Sequence, residues 1–433
     1  MTKKILTGGL MLALSSTTAL AATDISWWHA MGGQLGEVVN DIGTRFNAAQ
    51  DTCQITPVYK GNYEETLTAG IAAFRAGEQP NIIQVFDAGA ATIIAAPGAT
   101  IAAEDLLEQD GTGFSADDYI EGVRYFYADA DGKFIGMPFN SSTPILYYNT
   151  EAFDKADVQP PTTWEEFETI APALKDAGYI PLVQSHLPWE FTENFFSRHD
   201  LPFATNANGY DSIEGTKLLI NSPEIKMHFS KVKEWLDEGY FGFFGAGWGE
   251  NQKPFEEGKV ALWIGSSGSF GGLQKSASMP FSATFLPYWE SIVDEGVHTF
   301  IGGAALFAMS GKPDDQNKCS ADFFAFLTSP EIQYLWHKDT GYVPITKAAY
   351  QLATEDGYYE EKPAAEIGIL QLSQASGEWN KGYRMGFYVQ IRDVMNREYG
   401  KFLSGEQDVD TTFANIETEG NQLLERFAKT TAQ

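Results

Sequence analysis

Cysteine, histidine and basic residues are scarce in this sequence. The first two scarcities argue against zinc sites, and the third argues against nucleic-acid and lipid partners. The 433 residues include two cysteines, Cys53 and Cys319, and neither has the nearby histidines that a structural zinc site needs. No two of the six histidines have the spacing of a helical zinc motif. Lys and Arg number 29 against 58 Asp and Glu, so the net charge is −29. Nucleic acids and anionic lipids bind basic faces, and neither is an expected partner.

Motifs for catalysis and for cofactor binding are also missing. The sequence has no P-loop, no dinucleotide fingerprint and no His-Glu-x-x-His motif. The run 129–132 imitates a calcium loop, but Tyr127 and Pro138 occupy its first and twelfth positions, where carboxylates are required. Ser266 and Ser267 lie among glycines without completing a Gly-x-Ser-x-Gly elbow. We therefore expect no cofactor and no metal, although the 58 acidic residues leave an exported glycoside hydrolase as a remote alternative.

The first 21 residues have the pattern of a cleaved signal peptide. Lys3 and Lys4 precede the apolar stretch Ile5–Leu14, and Ala19–Ala21 supplies a small-x-small cleavage site. The apolar stretch is shorter than the roughly 18–20 residues of a membrane span. No cysteine follows the cleavage site to accept a lipid anchor. We therefore expect an exported protein.

The composition predicts a large folded protein. Hydrophobic residues make up 43 % of the chain and aromatic residues 14 %, which is enough for a large core, and the length suggests two domains. In an oxidising compartment Cys53 and Cys319 would form a disulfide if the fold brings them together, and two buried thiols are the alternative. The sequence leaves both interpretations open.

Strand and helix patterns alternate along the chain. Ile25–His29, Cys53–Tyr59 and Asn81–Phe86 have strand patterns, and apolar residues recur at helical spacing between them. This order is typical of a parallel, doubly wound sheet. Farther along, Thr163 and Glu166 form a capping box that predicts the start of a helix. Because no low-complexity linker divides the chain, the pattern predicts an α/β fold of two lobes joined by several chain crossings.

Eight segments carry a resemblance to a known family. They are Ser26–Met31, Tyr59–Glu64, Ala69–Arg75, Pro138–Pro144, Ser266–Ser269, Ile301–Ala304, Thr340–Tyr350 and Gln390–Arg392. As an ordered set they resemble the periplasmic sn-glycerol-3-phosphate-binding proteins of the Ugp ABC importer, within the solute-binding group that includes maltose-binding protein. The resemblance implies a binding protein for transport and not an enzyme.

The resemblance also implies the architecture and the partners. Each lobe would be a mixed sheet flanked by helices, with residues 22–136 and 298–345 in lobe 1 and residues 137–297 and 346–433 in lobe 2. The ligand would lie between the lobes, at the carboxyl ends of parallel strands. A periplasmic monomer would deliver glycerol-3-phosphate or a glycerophosphodiester such as glycerophosphocholine to an inner-membrane ABC permease. A neutral mono- or oligosaccharide is the alternative ligand in the same fold.

Particular ligand contacts follow from the same resemblance. The groups implied for the phosphate are Ser142, Ser266, the backbone N–H of Gly303, Tyr342 and Arg392. The glycerol hydroxyls would meet Tyr63 and Asp87, a position where the family usually has Glu. The shorter Asp side chain loses one methylene of reach. Trp164 would either stack on polyol carbons or belong to the core.

Overall fold

The computed structural model describes residues 22–96, 98–109, 111, 114–129 and 131–431, so the expected signal peptide lies outside the described residues. The strands are β1 (Thr23–His29), β2 (Cys53–Tyr59), β3 (Ile82–Phe86), β4 (Thr100–Ile101), β5 (Met137–Ser142), β6 (Pro144–Asn149), β7 (Ile180–Gln184), β8 (Phe241–Gly242), β9 (Val260–Ser266), β10 (Phe281–Thr284) and β11 (Gly302–Met309). The α-helices are Gly33–Ala49, Tyr63–Ala76, Asp87–Ile94, Ala103–Gln109, Glu121–Arg124, Thr150–Ala156, Trp164–Asp176, Asn194–Arg198, Pro223–Glu238, Trp248–Glu256, Phe270–Ser276, Asp314–Leu327, Pro330–Thr340, Lys347–Glu355, Tyr358–Glu361, Pro363–Leu372, Tyr388–Leu403 and Val409–Thr431. Shorter elements are the 3-10 turns Ala116–Asp118 and Ser267–Ser269, the π-helical segment Pro188–Glu193 and the left-handed turn Thr205–Asn208. None of the helices within these ranges is long and apolar enough to cross a membrane.

The strands form two mixed sheets. The first has the order β2-β1-β3-β11-β4, with β5 also paired to β11. In this sheet β1 runs parallel to β2 and β3, whereas β11 runs antiparallel to its neighbours. The second sheet has the order β10-β6-β9-β7-β8, with β7 parallel to β8 and β9. The α/β class and the parallel pairing of the first three strands are therefore confirmed.

The chain passes between the sheets where three distant segments meet. β5 ends in the first sheet at Ser142 and β6 begins in the second at Pro144, so Thr143 alone separates them. Strand β5 thus pairs in the first sheet, whereas the expected boundary assigned it to lobe 2, because an extended segment gives no sign of which sheet it joins. The hydroxyls of Thr143 and Thr299 are hydrogen-bonded, and Gln371 Nε2 donates to Thr143 Oγ1 at 2.8 Å. These contacts hold the crossing segments together.

A disulfide ties a helix to the edge of the first sheet. Cys53 in β2 and Cys319 in the helix Asp314–Leu327 are bonded, with their Cα atoms 5.7 Å apart. Both side chains are buried, and 266 positions separate them in the sequence. Of the two interpretations that the sequence leaves open, the structure has the bonded one.

Local sequence signals account for the start of one helix and for the buried face of another. Thr163 Oγ1 accepts a hydrogen bond from the Glu166 N–H at 3.2 Å, so the predicted capping box is present. In the helix Tyr388–Leu403, the apolar residues Ile391 and Met395 are buried one turn apart. Their burial fixes the rotation of this helix, which also carries Arg392.

Candidate functional site

Arg392 lies at the centre of a buried ionic cluster. Its Nε and Nη2 each donate to one carboxylate oxygen of Glu193 at 2.7 Å, and its Nη1 and Nη2 donate to Asp87 at 3.1 and 2.9 Å. Nη2 also donates to the Tyr383 hydroxyl at 3.2 Å, and that hydroxyl donates to Glu193 Oε2 at 3.0 Å. All four side chains are buried. A single guanidinium therefore holds two carboxylates.

The two carboxylates reach Arg392 from different sheets. Asp87 directly follows β3, at the carboxyl end of a buried parallel strand, and opens the helix Asp87–Ile94. Glu193 ends the π-helical segment that follows β7 of the second sheet. The cluster thus joins the carboxyl end of β3 in the first sheet to the π-helical segment that follows β7 in the second sheet.

Burial and charge pairing set the electrostatics of this cluster. Burial acts to lower the pKa of Arg392, but Asp87 and Glu193 raise it well above its usual value, so the guanidinium stays charged. Burial also raises the pKa of Glu193, and Arg392 opposes that rise. One positive charge faces two carboxyl groups, so the cluster has no surplus positive charge to offer an anion.

A second polar network connects Tyr63 with Tyr342. The Asn140 amide donates to the Tyr63 hydroxyl at 2.8 Å, and its oxygen accepts from Gln84 Nε2 at 2.7 Å. The Tyr342 hydroxyl lies near Asn140 and the Tyr63 hydroxyl. The Tyr63 ring stacks on Phe86, the residue before Asp87 in sequence, with the ring centroids 5.1 Å apart. Burial raises the pKa of both tyrosines, so both hydroxyls keep their protons at neutral pH and can donate.

Strand register gathers the predicted serines and glycine at the point where the chain changes sheets. Ser142 pairs with Gly302 between β5 and β11, and Pro144 pairs with Ser266 between β6 and β9. Because one residue separates Ser142 from Pro144, both serines lie beside this crossing. Gly303 follows Gly302 and has a φ of +91°, a left-handed conformation that favours glycine.

Tyr342 lies against the same crossing. A Cβ built on Gly268, two residues after Ser266, would lie 2.8 Å from the Tyr342 ring. Ser266 Oγ accepts from the Gly268 N–H at 3.1 Å and fixes the turn after β9. The crossing therefore presents hydroxyl and N–H groups close together, which are donors suited to an anion.

Comparison with known proteins identifies the family. Residues 41–367 match the family model described as bacterial extracellular solute-binding protein. The chain belongs to this family. Its members bind solutes, and the curated relatives are named as binding proteins, so this solute-binding protein functions in transport and not as an enzyme.

Curated relatives are similar to this solute-binding protein over nearly its whole length. The sn-glycerol-3-phosphate-binding periplasmic protein UgpB of Brucella abortus is 39% identical over 429 residues, which cover 98% of each chain. The protein of the same name from Rhizobium meliloti is 38% identical over 96% of this chain and 98% of its own. The resemblance inferred from the eight sequence segments is confirmed.

Solved structures share the fold. UgpB from Mycobacterium tuberculosis in complex with glycerophosphocholine has a TM-score of 0.79 and 22% identity, covering 94% of this chain and 99% of its own. The maltose-bound MalE3 of T. maritima has a TM-score of 0.75 and 17% identity, covering 93% of this chain and 100% of its own. These matches confirm the two-lobed fold of the solute-binding protein.

Trp164 does not join the other predicted site residues. Its side chain is buried, and its ring contacts a group of aromatic residues in the interior. These residues are Phe167, Phe191, His228, Trp235 and Trp289. Of the two interpretations that the sequence left open for Trp164, the structure has the core position. The sequence could not decide between them, because a tryptophan at the start of a helix has the same local pattern in a core as in a cleft.

Three aromatic residues that lead outward from Gly302 were not identified from the sequence. The Trp189 ring lies against this glycine, where a Cβ would be 2.3 Å from the ring. Trp248 stacks on His186 with centroids 4.9 Å apart and lies 5.6 Å from the Trp189 ring. Trp189 is buried and Trp248 is 48% exposed. His186, Trp189 and Trp248, here called the aromatic wall, extend from Gly302 to the solvent.

Glu193, Tyr383 and Asn140 were also not identified from the sequence. Each is a buried polar residue that contacts a predicted site residue. Glu193 contacts Arg392 and Asn140 contacts Tyr63 across long stretches of the chain, whereas Tyr383 is only nine positions from Arg392. Glu193 and Tyr383 lie outside the eight segments that carry the resemblance, and Asn140 lies within one of them, Pro138–Pro144, two residues before the predicted Ser142. Among the described residues, no group of three or more potential metal ligands is present.

Proposed function

We propose that this solute-binding protein captures sn-glycerol-3-phosphate, or a glycerophosphodiester such as glycerophosphocholine, and delivers it to an ABC permease. The observation that carries the proposal is the near-full-length similarity, at 38–39% identity, to proteins named for sn-glycerol-3-phosphate. The site supports it, since anion donors and paired charges lie side by side at the crossing between the sheets.

The phosphate would bind at the sheet crossing. Ser142, Ser266, the Gly303 N–H and the Tyr342 hydroxyl are neutral donors close to one another. Several such donors can hold a phosphate without a neighbouring cation when they are pre-oriented by strands. Gly303 has a positive φ and no side chain of its own to block a close approach of the ligand to its backbone N–H.

The glycerol hydroxyls would bind near Asp87 and Tyr63. The family resemblance implies that Arg392 binds the phosphate, but its four bonds to Asp87 and Glu193 already compensate its charge. We therefore assign Arg392 to orient the Asp87 carboxylate, which accepts hydrogen bonds from hydroxyls. Arg392 donates to both carboxylate oxygens of Asp87 and thereby fixes the orientation of this short side chain.

The aromatic wall gives room for a second substituent on the phosphate. Trp189 lies against Gly302, next to the proposed phosphate donor Gly303. Aromatic faces pack well on the methylene groups of an alcohol and attract a cationic head group. The exposed outer ring of Trp248 allows head groups of different size, which favours diesters alongside the monoester.

Closure of two lobes about the sheet crossing would enclose the ligand. In this proposal residues 22–142 and 302–345 form lobe 1, and residues 144–297 and 346–431 form lobe 2. Ligand shifts such an equilibrium only by its additional affinity for the closed form. We further propose that residues 1–21 are a cleaved signal peptide and that the protein acts in the periplasm as a monomer.

A neutral sugar is the second candidate ligand. The observation in its favour is the ionic cluster, because Arg392 is paired with two carboxyl groups and no net positive charge faces the site. Carboxylates and tyrosine hydroxyls are also common partners of sugar hydroxyls. The two candidates therefore differ in whether the neutral donors at the sheet crossing hold a phosphate.

Calorimetric titration separates the two ligands. The protein is titrated with sn-glycerol-3-phosphate, glycerophosphocholine, inorganic phosphate and maltose. We expect a Kd near micromolar, about −8 kcal/mol, for at least one phosphate ester and no binding of maltose. Tight maltose binding with no response to either ester would reject the glycerol phosphate and favour the sugar.

A pair of serine variants tests the position of the phosphate. Ser266→Ala removes one proposed donor and should raise the Kd for the ester about five- to tenfold. Ser269→Ala is the matched control, because Ser269 lies in the same turn and its side chain makes no capping bond to the following helix. Equal effects of both variants would contradict the proposed phosphate position.

A further inference from the structure

The end of the helix Pro330–Thr340 surrounds Tyr342 on three sides. The Tyr342 ring stacks on Trp336 with the centroids 5.4 Å apart and the planes 8° from parallel. His337 Nδ1 lies 2.8 Å from the Tyr342 carbonyl oxygen. Thr340 Oγ1 accepts from the Tyr342 N–H at 3.1 Å. One helix turn thus contacts the ring, the C=O and the N–H of the same residue.

The chain can fold back on this helix because Gly341 ends it. Gly341 has a φ of +89°, and its N–H bonds to the His337 carbonyl at 2.7 Å. A Cβ there would lie 2.6 Å from the Ser267 carbonyl oxygen, so a larger residue does not fit. Tyr342 therefore follows the helix directly and turns toward the sheet crossing.

His337 is suited to fixing a carbonyl. A carbonyl oxygen only accepts hydrogen bonds, so Nδ1 carries the proton and donates it to Tyr342. Burial lowers the pKa of His337 to about 4, and the imidazole is neutral above that pH. The Tyr358 and Tyr359 rings pack 5.5 Å from the imidazole and restrict its rotation.

We propose that Trp336, His337 and Thr340 are positioning residues that hold Tyr342 in the orientation in which its hydroxyl meets the ligand phosphate. This inference rests on the proposed function, because it takes Tyr342 as a phosphate donor. The contacts to its ring, its C=O and its N–H restrict the rotation of the Tyr342 side chain and of its backbone. The hydroxyl is therefore pre-oriented before ligand arrives, which lowers the entropy cost of binding.

A double-mutant cycle tests the inference. Kd for sn-glycerol-3-phosphate is measured by calorimetry for the wild type, His337→Leu, Tyr342→Phe and the double variant. We expect His337→Leu to raise Kd about five- to tenfold, since a buried hydrogen bond to Tyr342 is lost. In the Tyr342→Phe background the same change should alter Kd less than about twofold, because no hydroxyl remains to be positioned.

Two further variants separate positioning from a loss of packing. His337→Asn keeps an N–H donor near the Nδ1 position and should restore Kd to within about threefold of wild type. His199→Leu is the matched control, because His199 is also buried and its Nδ1 also bonds a backbone carbonyl, that of Phe195 at 2.7 Å. It should lower the melting temperature without changing Kd.

The outcomes distinguish this inference from the proposed function. If the wild type binds the ester but His337→Leu raises Kd equally in both backgrounds, or if His199→Leu has the same effect, the positioning role is overturned. An unchanged Kd in Tyr342→Phe also overturns it. If the wild type binds no phosphate ester, the proposed function fails and the inference fails with it.

Discussion

Gly303 and Asn140 approach each other so closely that no other residue fits at position 303. A Cβ on Gly303 would lie 1.8 Å from the Asn140 carbonyl oxygen, and 3.4 Å from Asn140 Nδ2. Asn140 also holds the Tyr63 hydroxyl. The backbone N–H proposed to bind phosphate and the hydroxyl proposed to meet glycerol are thus positioned by one asparagine.

Replacing Gly303 should harm both stability and binding. Gly303→Ala adds a clash with backbone to a left-handed conformation, and we expect the free energy of unfolding to fall by at least about 2 kcal/mol. Urea unfolding measures this loss. Gly400→Ala is the control: its Cβ meets nothing within 4 Å inside the helix Tyr388–Leu403, and it should stabilise by about 0.5–1 kcal/mol. Equal stabilities of the two variants would contradict the close approach.

Removing Arg392 should leave two buried carboxyl groups without their partner. We expect Arg392→Gln to lower the free energy of unfolding by about 3–5 kcal/mol. Adding Glu193→Gln removes one of these carboxyl groups and should recover part of the loss. Urea titrations of the single and double variants measure both effects. A double variant that is less stable than Arg392→Gln would show that the unpaired Glu193 carboxyl group is not what destabilises the single variant.

The disulfide should contribute strongly to thermal stability. Cys53 and Cys319 close a long loop, so replacing both with Ala should lower the free energy of unfolding by about 2–5 kcal/mol. Calorimetric scans with and without a reductant test this expectation. The reductant should lower the melting temperature of the wild type and leave that of the double variant unchanged.

Buried histidines should make the protein less stable as the pH falls. Burial lowers the pKa of His199 from 6.5 to about 3. The unfolded chain therefore takes up a proton at this residue below about pH 6.5 and the folded protein does not, so stability falls from pH 6.5 toward pH 3. His199 alone accounts for about 1.4 kcal/mol per pH unit in this window. His199→Leu should reduce the slope by that amount between pH 6 and pH 5. An unchanged slope in urea titrations would contradict its neutral state.

The aromatic wall should discriminate between ligands. Trp248→Ala removes the outer ring that stacks on His186. We expect it to raise the Kd for glycerophosphocholine about tenfold and to change the Kd for sn-glycerol-3-phosphate less than about twofold. Competition titrations measure both constants. An equal effect on both ligands would show that this ring does not contact the head group.

Local signals in the sequence predicted the local structure well. The capping box at Thr163 needs only two residues on one helix turn, and strand patterns such as Cys53–Tyr59 need only neighbouring positions. The ordered segments also identified the family, because they preserve spacing over the whole chain. The ligand roles of Tyr63 and Tyr342 stay predictions, and the structure places both residues near Asn140.

Contacts across long sequence separations could not be predicted. Arg392 was expected to be free for a phosphate, but Glu193 pairs with it across 199 positions, and no pattern near either residue indicates this partner. Trp164 follows a helix cap in the same way whether its ring faces a cleft or the core. These outcomes depend on how sheets and helices pack, which local patterns do not specify.

The single residue between β5 and β6 has a mechanical consequence. Ser142 and Gly302, with which it pairs, lie beside Thr143, so the groups proposed to contact phosphate are close to the proposed hinge and not at the tips of the lobes. Atoms close to a hinge move very little when the two lobes rotate about it. The phosphate contacts would thus persist through opening and closing, while contacts between the tips of the lobes would separate and re-form with each cycle.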